Sequence, residues 1–386
     1  MRVAYLCADP GIPVFGTKGA SVHVQEIIRA WRARGAEVRV YCTRTGDDVP
    51  ADLADLTVTW LKVPQSQGPE REAAQAAAAA ELAGKIIDDG ADLVYERYSL
   101  FSTGLAQATA ALGIPGILEV NAPLIDEQRT HRYLHDEAAA AAALRAQVAA
   151  ADRTVCVSAP VARWVESKTE PAHPGGIAVV PNGVNTDRIL PASPDPGAVP
   201  VVAFVGTLKP WHGVEVLLEA AALASQAWQL RIVGDGPLSA ELQRRAAELG
   251  VAVDFTGAVV PEQIPAVLAD CSLAAAPYPA MESDADQYFS PLKIYEYLAA
   301  ALPVVASNVG QIPEIMDDGG TGLLVEPSDP AALAAAIDCL VAYPERRLAM
   351  ALAAREQAVA RHSWHQVLEQ SLAGIRLPDK NQELTV

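Results

Sequence analysis

Short apolar runs alternate with amphipathic helical segments along this chain, and this alternation constrains the fold more than any other feature. Runs such as RVAYLC, EVRVYC and DLVYERY are largely apolar, as in strands that are buried on both faces. Helical patterns at residues 22–34, 70–87, 101–112 and 136–151 separate most of these runs. Strands linked by helices predict a parallel sheet covered on both sides, so the predicted fold class is α/β.

The same pattern begins again in the second half of the chain. A Pro-rich stretch without periodicity, residues 187–200, lies between VVPNGVN and the later runs VVAFVG, LRIVG and VDFTG. A length of 386 residues suits two domains of about 150–200 residues each. We therefore predict two doubly wound, Rossmann-like domains facing a central cleft, with ligands bound in the loops that follow the strands.

Charge and composition exclude several classes of protein. The net charge is −18 and no dense Lys/Arg cluster occurs, which argues against a nucleic-acid partner and against a lipid-headgroup surface. No apolar run is long enough to predict an integral membrane segment, and the opening run predicts a strand, not a signal peptide. The five cysteines form no CxxC, which favours buried free thiols and a cytoplasmic location. Asp284 and Asp286 are only two acids, so no metal site is predicted.

A glycine-rich loop, DPGIPVFGTKGASVH, follows the first predicted strand. Gly16 lets backbone N–H groups approach an anion near the start of the next helix. The alternative is a flexible loop that ends at Ser21 as the helix N-cap. The spacing is not GxGxxG, so no dinucleotide-binding fingerprint is predicted. His23, one turn into that helix, either faces a ligand or packs inside the domain.

Two strand-to-helix junctions in the second half carry candidate ligand-binding groups. In FVGTLKPWHG, Lys209 lies just before a helix, where a cation is unfavourable unless an anion shares the site. A solvated surface lysine is the competing interpretation. In IVGDGPLS, Asp235 next to Gly236 either caps the following helix or contacts a ribose.

The segment YFSPLKIYEY begins a predicted helix with Ser290 as N-cap and Pro291 as the first helical residue. Lys293 and Glu296 are three residues apart. Either they form an ion pair at the surface, or Lys293 binds a phosphate and Glu296 binds a ribose.

Polar residues follow two strands of the first half. Glu96 and Arg97 come at the end of DLVYER, and Glu119 and Asn121 come at the end of ILEVN. Such groups at strand carboxyl ends are candidates for substrate contact, and structural ion pairs are the alternative. There is no GxSxG, HExxH or P-loop, so hydrolase-triad, zinc-protease and NTPase activities have no support.

Taken together and in order, VVPNGVN, FVGTLKPWHGV, RIVGDGPL, VDFTGAV and YFSPLKIYEYLAAALPVVAS resemble the motifs of one family. The chain resembles the retaining, nucleotide-sugar-dependent glycosyltransferases of family 4, which have the GT-B fold. The resemblance implies transfer of a hexose-type sugar from a nucleotide diphosphate sugar, with UDP as the expected nucleotide, to a small-molecule or glycan acceptor, without a metal or other cofactor. It also implies an acceptor-binding domain at 1–186, a nucleotide-sugar-binding domain at 187–362, and a helix at 363–378 that crosses back.

The resemblance assigns roles to individual residues. Glu296 matches the acid on the donor ribose, and Lys293 faces the diphosphate with the N–H of Leu292. The usual cations of the second-half turn fall at Thr207 and His212, so Lys209 is the implied substitute. Lys209 and Lys293 are therefore the expected catalytic residues. The expected donor-binding set is Gly16, Gly206, Thr207, Lys209, Asp235, Gly236, Val259, Ser290, Leu292, Lys293 and Glu296, and the expected acceptor-binding set is His23, Glu96, Arg97 and Asn121.

The chain departs from the family pattern at Tyr288, which stands where the acid that contacts the donor sugar is expected. No catalytic histidine of the first domain carries over either. Two other functions stay open on the sequence: a nucleotide-sugar epimerase on the same fold, and a non-catalytic sugar-nucleotide-binding partner of another enzyme. The nucleobase, the sugar, the acceptor and the oligomeric state are not predicted.

Overall fold

The computed structural model describes residues 1–64, 66–169, 175–281 and 287–377. The chain divides into two compact units. Unit 1 contains Met1–Pro181 and the described residues from Val367 onward, and unit 2 contains Asn182–Gln366.

Among its described residues, unit 1 has a seven-stranded sheet in the order β3-β2-β1-β4-β5-β6-β7, in which all neighbouring strands are parallel. The strands are β1 Arg2–Cys7, β2 Glu37–Cys42, β3 Thr57–Trp60, β4 Leu93–Arg97, β5 Gly116–Val120, β6 Arg153–Cys156 and β7 Ile177–Val179. The helices are α1 Gly19–Ala33, α2 Gly68–Asp89, α3 Gly104–Leu112, α4 Leu124–His131, α5 Glu137–Ala150 and α6 Ala159–Lys168, with a 3-10 turn at Ala51–Leu53.

The described part of unit 2 repeats this plan with six parallel strands in the order β10-β9-β8-β11-β12-β13. The strands are β8 Val201–Val205, β9 Gln229–Val233, β10 Val253–Gly257, β11 Leu273–Ala276, β12 Val304–Ser307 and β13 Gly322–Val325. The helices are α7 Val214–Ala222, α8 Ser239–Leu249, α9 Ile264–Leu268, α10 Leu292–Ala299, α11 Ile312–Ile315, α12 Pro330–Ala342 and α13 Pro344–Arg361, with 3-10 turns at Pro210–His212 and Pro261–Gln263. The last helix, α14 (Trp364–Ser371), begins in unit 2 and ends in unit 1.

The central strands form the core of each unit because their side chains are buried on both faces. Every residue of β4, β5, β8, β11 and β12 is buried. In each sheet the strand order reverses beside the first strand, between β1 and β4 in unit 1 and between β8 and β11 in unit 2. The carboxyl ends of strands at such a reversal leave a crevice for ligands. The predicted α/β class with two parallel-sheet domains is therefore confirmed.

Some local predictions were wrong. Helix α1 begins at Gly19, after Lys18 as its N-cap residue, so Ser21 lies within the helix and does not cap it. The segment GDGPL predicts Pro237 in the first turn of the following helix, but helix α8 begins at Ser239, so Pro237 lies before it. Of the five free cysteines, four are buried and Cys339 is partly exposed. No helix in the described part of the chain is both long and apolar enough to cross a membrane.

Candidate functional site

Residues 206–213 follow β8 and are here called the Gly206 turn. Gly206 has a φ of 153°, in the region that favours glycine. A Cβ on Gly234, which follows β9, would overlap the carbonyl oxygen of Gly206, so the two turns touch through their backbones. The amide of Leu208 also donates to the carbonyl of Asp235 at 3.0 Å. These contacts fix the Gly206 turn at the carboxyl edge of the unit 2 sheet.

The far end of the Gly206 turn packs against the loop after β11. Gly213 has a φ of 65°, and a Cβ there would overlap the carbonyl oxygen of Pro277. Within the turn, Nδ1 of His212 makes a short hydrogen bond with the carbonyl oxygen of Thr207. The rings of His212 and Tyr278 lie edge to face, with centroids 5.8 Å apart. These contacts therefore hold the Gly206 turn in place beside the position where the strand order of the sheet reverses.

Lys293 lies in the first turn of α10, and its side chain extends to the Gly206 turn. A Cβ on Gly206 would lie 2.9 Å from its Nζ, so glycine is what allows the amine to approach. Nζ lies 4.2 Å from the centroid of the Phe204 ring and 5.0 Å from that of Tyr278. The residue is only 8% exposed, and Nζ has no hydrogen-bond partner among the described residues. The alternative of a surface Lys293–Glu296 ion pair is therefore wrong.

Burial lowers the pKa of Lys293 to about 7, and the nearby Glu296 carboxyl only partly opposes this effect. An amine in a helix N-terminal turn is further disfavoured as a cation, because the peptide dipoles place positive charge there. The buried amine therefore has no anion hydrogen-bonded to it among the described residues. An anionic ligand would supply one.

Neither of the two basic residues of the Gly206 turn, His212 and Lys209, is a buried cation that needs an anion. Burial, reinforced by the charge of Lys293, lowers the pKa of His212 to about 3, so its imidazole is neutral at ordinary pH. Lys209 is half-buried, and its Nζ lies 4.5 Å from the centroid of the exposed Trp211 ring. Lys209 thus lies half-buried at the edge of the Gly206 turn, whereas Lys293 is buried against Gly206.

Helix α10 is held against β8 by residues that sequence reasoning missed. The N–H of Val205, the last residue of β8, donates to the hydroxyl of the fully buried Tyr297 at 2.7 Å. Tyr297 is one helical turn after Lys293, so this bond also fixes the position of Lys293 relative to β8. A tyrosine in an otherwise apolar helix was the available indication, because buried tyrosine hydroxyls normally have a partner.

The start of α10 is held differently from the prediction. The helix begins at Leu292 with Pro291 as its N-cap residue, so Ser290 is not the cap. Instead, the hydroxyl of Ser290 accepts from the N–H of Asn182 at 3.0 Å, and its carbonyl accepts from the Asn182 side chain at 2.7 Å. Asn182 lies in the motif VVPNGVN, which was noted without a role for this residue. It positions the helix end that carries Lys293.

The remaining predicted donor-binding residues of unit 2 lie in several settings. Glu296 and Leu292 are partly exposed on α10, and Thr207 is exposed on the Gly206 turn. Asp235 accepts from the N–H of Gly236 at 2.7 Å and from the hydroxyl of Ser239, the first residue of α8. Val259 packs against the core beneath β8, β11 and β12. The structure therefore places Lys293 against the Gly206 turn, whereas Asp235 and Val259 make contacts within the fold of unit 2.

Three candidate residues of unit 1, together with Tyr95, surround the buried carboxylate of Glu119, and this group is here called the Glu119 cluster. Oε1 of Glu119 accepts from His23 at 2.5 Å, from Asn121 at 2.6 Å and from Arg97 at 3.3 Å. Its Oε2 accepts from the hydroxyl of Tyr95 at 2.5 Å. His23, Arg97 and Asn121 are thus brought together at the carboxyl edge of the sheet.

The two buried glutamates of this edge differ in charge state. Burial raises the pKa of Glu119, but the charges and hydrogen bonds of His23 and Arg97 outweigh it and lower the pKa to about 2. Burial raises the pKa of Glu96 to about 7, and the hydrogen bonds from the neutral Ser102 hydroxyl and the N–H of Leu105 only partly oppose this effect. Glu96 is fully buried and caps the start of α3, which is a structural position.

Gly16, the predicted donor-binding residue of unit 1, lies in a fixed loop. Its carbonyl and that of Val14 accept from the side chain of Gln25 at 3.0 and 2.9 Å. A Cβ on Gly16 would lie 2.7 Å from the Ser21 hydroxyl. The loop is therefore ordered against α1 and is not a flexible connection. Among the described residues no group of acids, histidines and cysteines is arranged to hold a metal, and Asp284 and Asp286 lie outside them.

Both halves of the chain match known family models. The model described as Glycosyltransferase Family 4 matches residues 17–188, and the model described as Glycosyl transferases group 1 matches residues 199–342. The chain belongs to the family 4 glycosyltransferases. This confirms the family that the sequence motifs indicated.

Curated relatives agree with this assignment. The α-maltose-1-phosphate synthase of Mycolicibacterium smegmatis is 31% identical over 407 residues, which covers 96% of this chain and 98% of that protein. A GDP-mannose-dependent α-(1-6)-phosphatidylinositol monomannoside mannosyltransferase of the same organism is 34% identical over 221 residues. That match covers 53% of this chain and 58% of the mannosyltransferase.

Solved structures show the same fold. The Anabaena protein HepE in complex with UDP has a TM-score of 0.70 at 20% identity, covering 96% of this chain and 98% of its own. Sucrose-phosphate synthase from Thermosynechococcus elongatus has a TM-score of 0.71 at 21% identity, covering 96% and 97%. The predicted GT-B fold is confirmed.

Proposed function

We propose that this protein is a retaining glycosyltransferase that transfers a hexose-type sugar from a nucleotide diphosphate sugar to a small-molecule or glycan acceptor. Unit 2 binds the donor and unit 1 binds the acceptor. The observation that carries the proposal is the amine of Lys293, which is buried without a hydrogen-bond partner among the described residues. Lys293 lies at the start of a helix, and its amine lies against the Gly206 turn. A diphosphate is the ligand whose charge suits that position.

The proposed roles follow from where charge develops in the reaction. Breaking a glycosyl–phosphate bond places negative charge on the departing diphosphate, and fixed positive groups aimed at it lower the barrier. Lys293 and the N–H of Leu292 bind the diphosphate, and Lys209 approaches it from the edge of the Gly206 turn. Glu296 accepts the ribose hydroxyls. The leaving phosphate itself takes the acceptor proton on the face from which it departs, so no protein side chain is assigned as general base.

The nucleotide in the proposal is a nucleoside diphosphate, with UDP as first choice. A structural neighbour holds UDP, and a relative is named for its dependence on GDP-mannose. Both names support a nucleotide-sugar donor for this chain, and they differ in the base. The donor panel below therefore includes both bases.

Unit 1 offers the groups for an acceptor rich in hydroxyls. The Oδ1 of Asn121 is buried without a hydrogen-bond partner among the described residues, while its amide nitrogen is held by Glu119. Asn121 can therefore accept from a hydroxyl, and Arg97 can donate to one. His23 and Asn121 contact Glu119 in the same cluster. In this proposal Glu96 has no acceptor role, because both of its oxygens are used inside the unit.

A donor panel tests this function. UDP-, GDP-, ADP- and dTDP-sugars are incubated with the protein and simple sugar acceptors, and release of the nucleoside diphosphate is followed. We expect release from at least one UDP- or GDP-hexose, and an α-linked product by NMR from an α-linked donor. A β-linked product would exclude retention, and failure of every donor to bind or react would exclude the glycosyltransferase function.

The absence of a cation at Thr207 and the neutral state of His212 favour one second candidate, a non-catalytic binder of sugar nucleotides. The same panel separates the two functions. Tight binding of UDP by calorimetry, without release of nucleotide from any sugar donor, would favour the binder. Release that is lost in Lys293→Met would favour the enzyme.

A further inference from the structure

The groups around the amine of Lys293 leave it short of negative charge. Among the described residues, they come from its own helix and from two loops that pack against it. Helix α10 contributes Glu296, and the Gly206 turn contributes His212. The loop after β11 contributes the ring of Tyr278, whose pKa burial raises.

These neighbours only partly offset the cost of burying a charged amine when no ligand is bound. Glu296 is the only acid among the described residues whose charge acts on Lys293, and it is partly exposed to solvent. The first turn of α10 opposes a positive charge on Lys293, and neutral His212 contributes no charge. The rings of Phe204 and Tyr278 offer their faces to a cation, but they accept no conventional hydrogen bond.

An arriving diphosphate changes this balance because it brings negative charge to the amine at short range. In a buried site, such a charge stabilises the ammonium strongly. We propose that anion binding at the Gly206 turn is coupled to uptake of up to one proton by Lys293, so that above neutral pH the empty site holds mostly an uncharged amine and the diphosphate-bound site holds an ammonium. This inference rests on the proposed function, since the diphosphate of a sugar nucleotide is its expected anion.

The coupling step is a simple proton balance. The nitrogen lone pair of Lys293 takes a proton from the buffer, and the resulting ammonium donates a hydrogen bond to a phosphate oxygen. No covalent bond to the ligand forms and nothing is oxidised. With a pKa of about 7 in the empty site, uptake should approach about 0.9 proton at pH 8 and about 0.1 proton at pH 6.

Calorimetry measures this uptake. Binding of UDP, and separately of inorganic pyrophosphate, is titrated at pH 6 and pH 8 in buffers that differ in ionisation enthalpy. The slope of observed enthalpy against ionisation enthalpy is the number of protons exchanged. Lys293→Arg keeps a permanent charge in the site, so it reports the protons that the ligand itself exchanges. Lys293→Met is a second variant without a titratable group, and Lys85→Arg on the exposed face of α2 is the matched control for loss of a lysine.

We expect wild type and Lys85→Arg to take up close to one proton more at pH 8 than Lys293→Arg and Lys293→Met. Equal uptake in all four proteins would overturn the coupling. Pyrophosphate binding with this difference, but no binding of UDP, would uphold the coupling and reject the nucleotide function. If neither probe binds, both are rejected. If thermal melting shows that one variant is unfolded, the other decides the comparison.

Discussion

Lys293 and Glu119 are both buried ionisable residues, but the protein surrounds them in opposite ways. Glu119 accepts four hydrogen bonds, two of them from basic side chains. Lys293 has aromatic faces and a glycine beside it, and its amine has no hydrogen-bond partner among the described residues. A satisfied buried charge supports the fold, whereas an unsatisfied one costs stability unless a ligand pairs with it.

Replacing Lys293 therefore should separate stability from function. We expect Lys293→Met to raise the free energy of unfolding by roughly 1–3 kcal/mol, because it removes an unpaired buried amine and keeps the apolar volume. Affinity for UDP and turnover should fall at least about 100-fold, on the scale of lost charge-assisted bonds. Urea unfolding and calorimetry measure the two effects. A variant that loses stability and affinity together would contradict this role.

Removing the carboxylate of the Glu119 cluster should have the reverse effect. Glu119→Gln leaves the Arg97 guanidinium and the imidazole of His23 without their anion, so we expect a loss of about 3–5 kcal/mol in unfolding free energy. Glu81→Gln, on the exposed face of α2, is the control and should change stability by less than about 0.5 kcal/mol. Urea denaturation measures both variants. A loss below about 1 kcal/mol in Glu119→Gln would show that the cluster does not need its charge.

Glu96 predicts a pH dependence of stability. Its folded pKa of about 7 lies above the ordinary value of 4.5, so the folded protein holds a proton that the unfolded chain releases. This contribution is fully present below pH 4.5 and is lost as the pH rises through about 7. The loss amounts to up to roughly 3 kcal/mol.

Glu96→Gln removes that contribution and isolates it. Burial lowers the pKa values of His212 and His362, to about 3 and about 4, which gives a slope of opposite sign below pH 6.5 in both proteins. The test is therefore the difference in unfolding free energy between wild type and variant, measured from pH 4.5 to pH 8. We expect wild type to lose stability relative to the variant over this interval. A constant difference would show that Glu96 is ionised when buried.

At the scale of elements, glycines that touch other backbones hold the Gly206 turn in place. Gly213 and Gly250 have nearly the same φ, 65° and 68°. Only Gly213 faces another backbone, that of Pro277, whereas a Cβ on Gly250 would meet nothing within 4 Å. The two positions therefore separate conformational strain from steric overlap.

Substitution of each glycine by alanine tests that distinction. Gly250→Ala, at the end of α8, should cost about 1 kcal/mol from its left-handed conformation alone. Gly213→Ala should cost more than about 3 kcal/mol, because the turn or the Pro277 loop must move as well, and it should weaken UDP binding. Thermal and urea unfolding give the stability changes. Equal costs would mean that the loop after β11 yields freely.

At the scale of the whole molecule, each unit has its own sheet and core, and the proposed nucleotide site lies entirely in unit 2. Ligand binding should therefore stabilise the two units unequally. UDP at 100 times its dissociation constant adds about 2.7 kcal/mol to the unit that binds it. Hydrogen exchange of the full chain resolves where that free energy appears.

With saturating UDP, we expect slower amide exchange in residues 206–213 and 292–299 and little change in β1, β4 and β5. Apo protein is the reference, and Lys293→Met at the same UDP concentration is the control. Protection confined to unit 1 would contradict the placement of the nucleotide. Protection at Gly16 in addition to the unit 2 segments would show that the first loop also contacts the donor.

Much of the fold could be predicted because it depends on local pattern. Apolar runs became the central strands, and the predicted helices of the first half match α1, α2, α3 and α5 within a few residues. The site was predicted less completely, because its geometry depends on contacts between distant residues. The bond between Val205 and Tyr297 joins positions 92 residues apart, and Asn182 holds Ser290 from 108 residues away. The neighbouring residues alone instead predicted Ser290 as the N-cap of the helix.

The sequence by itself determined the two parallel-sheet domains, the family, and the identity of Lys293 and Glu296 as candidate donor ligands, because periodicity and short motifs carry that information. Only the tertiary structure decided the charge states. The spacing of Lys293 and Glu296 is that of a surface ion pair, yet packing of α10 against β8 buries the lysine beside Gly206. Burial and partners, which arise from long-range packing, made Glu119 a stable anion, Glu96 a weak acid and Lys293 a weak base.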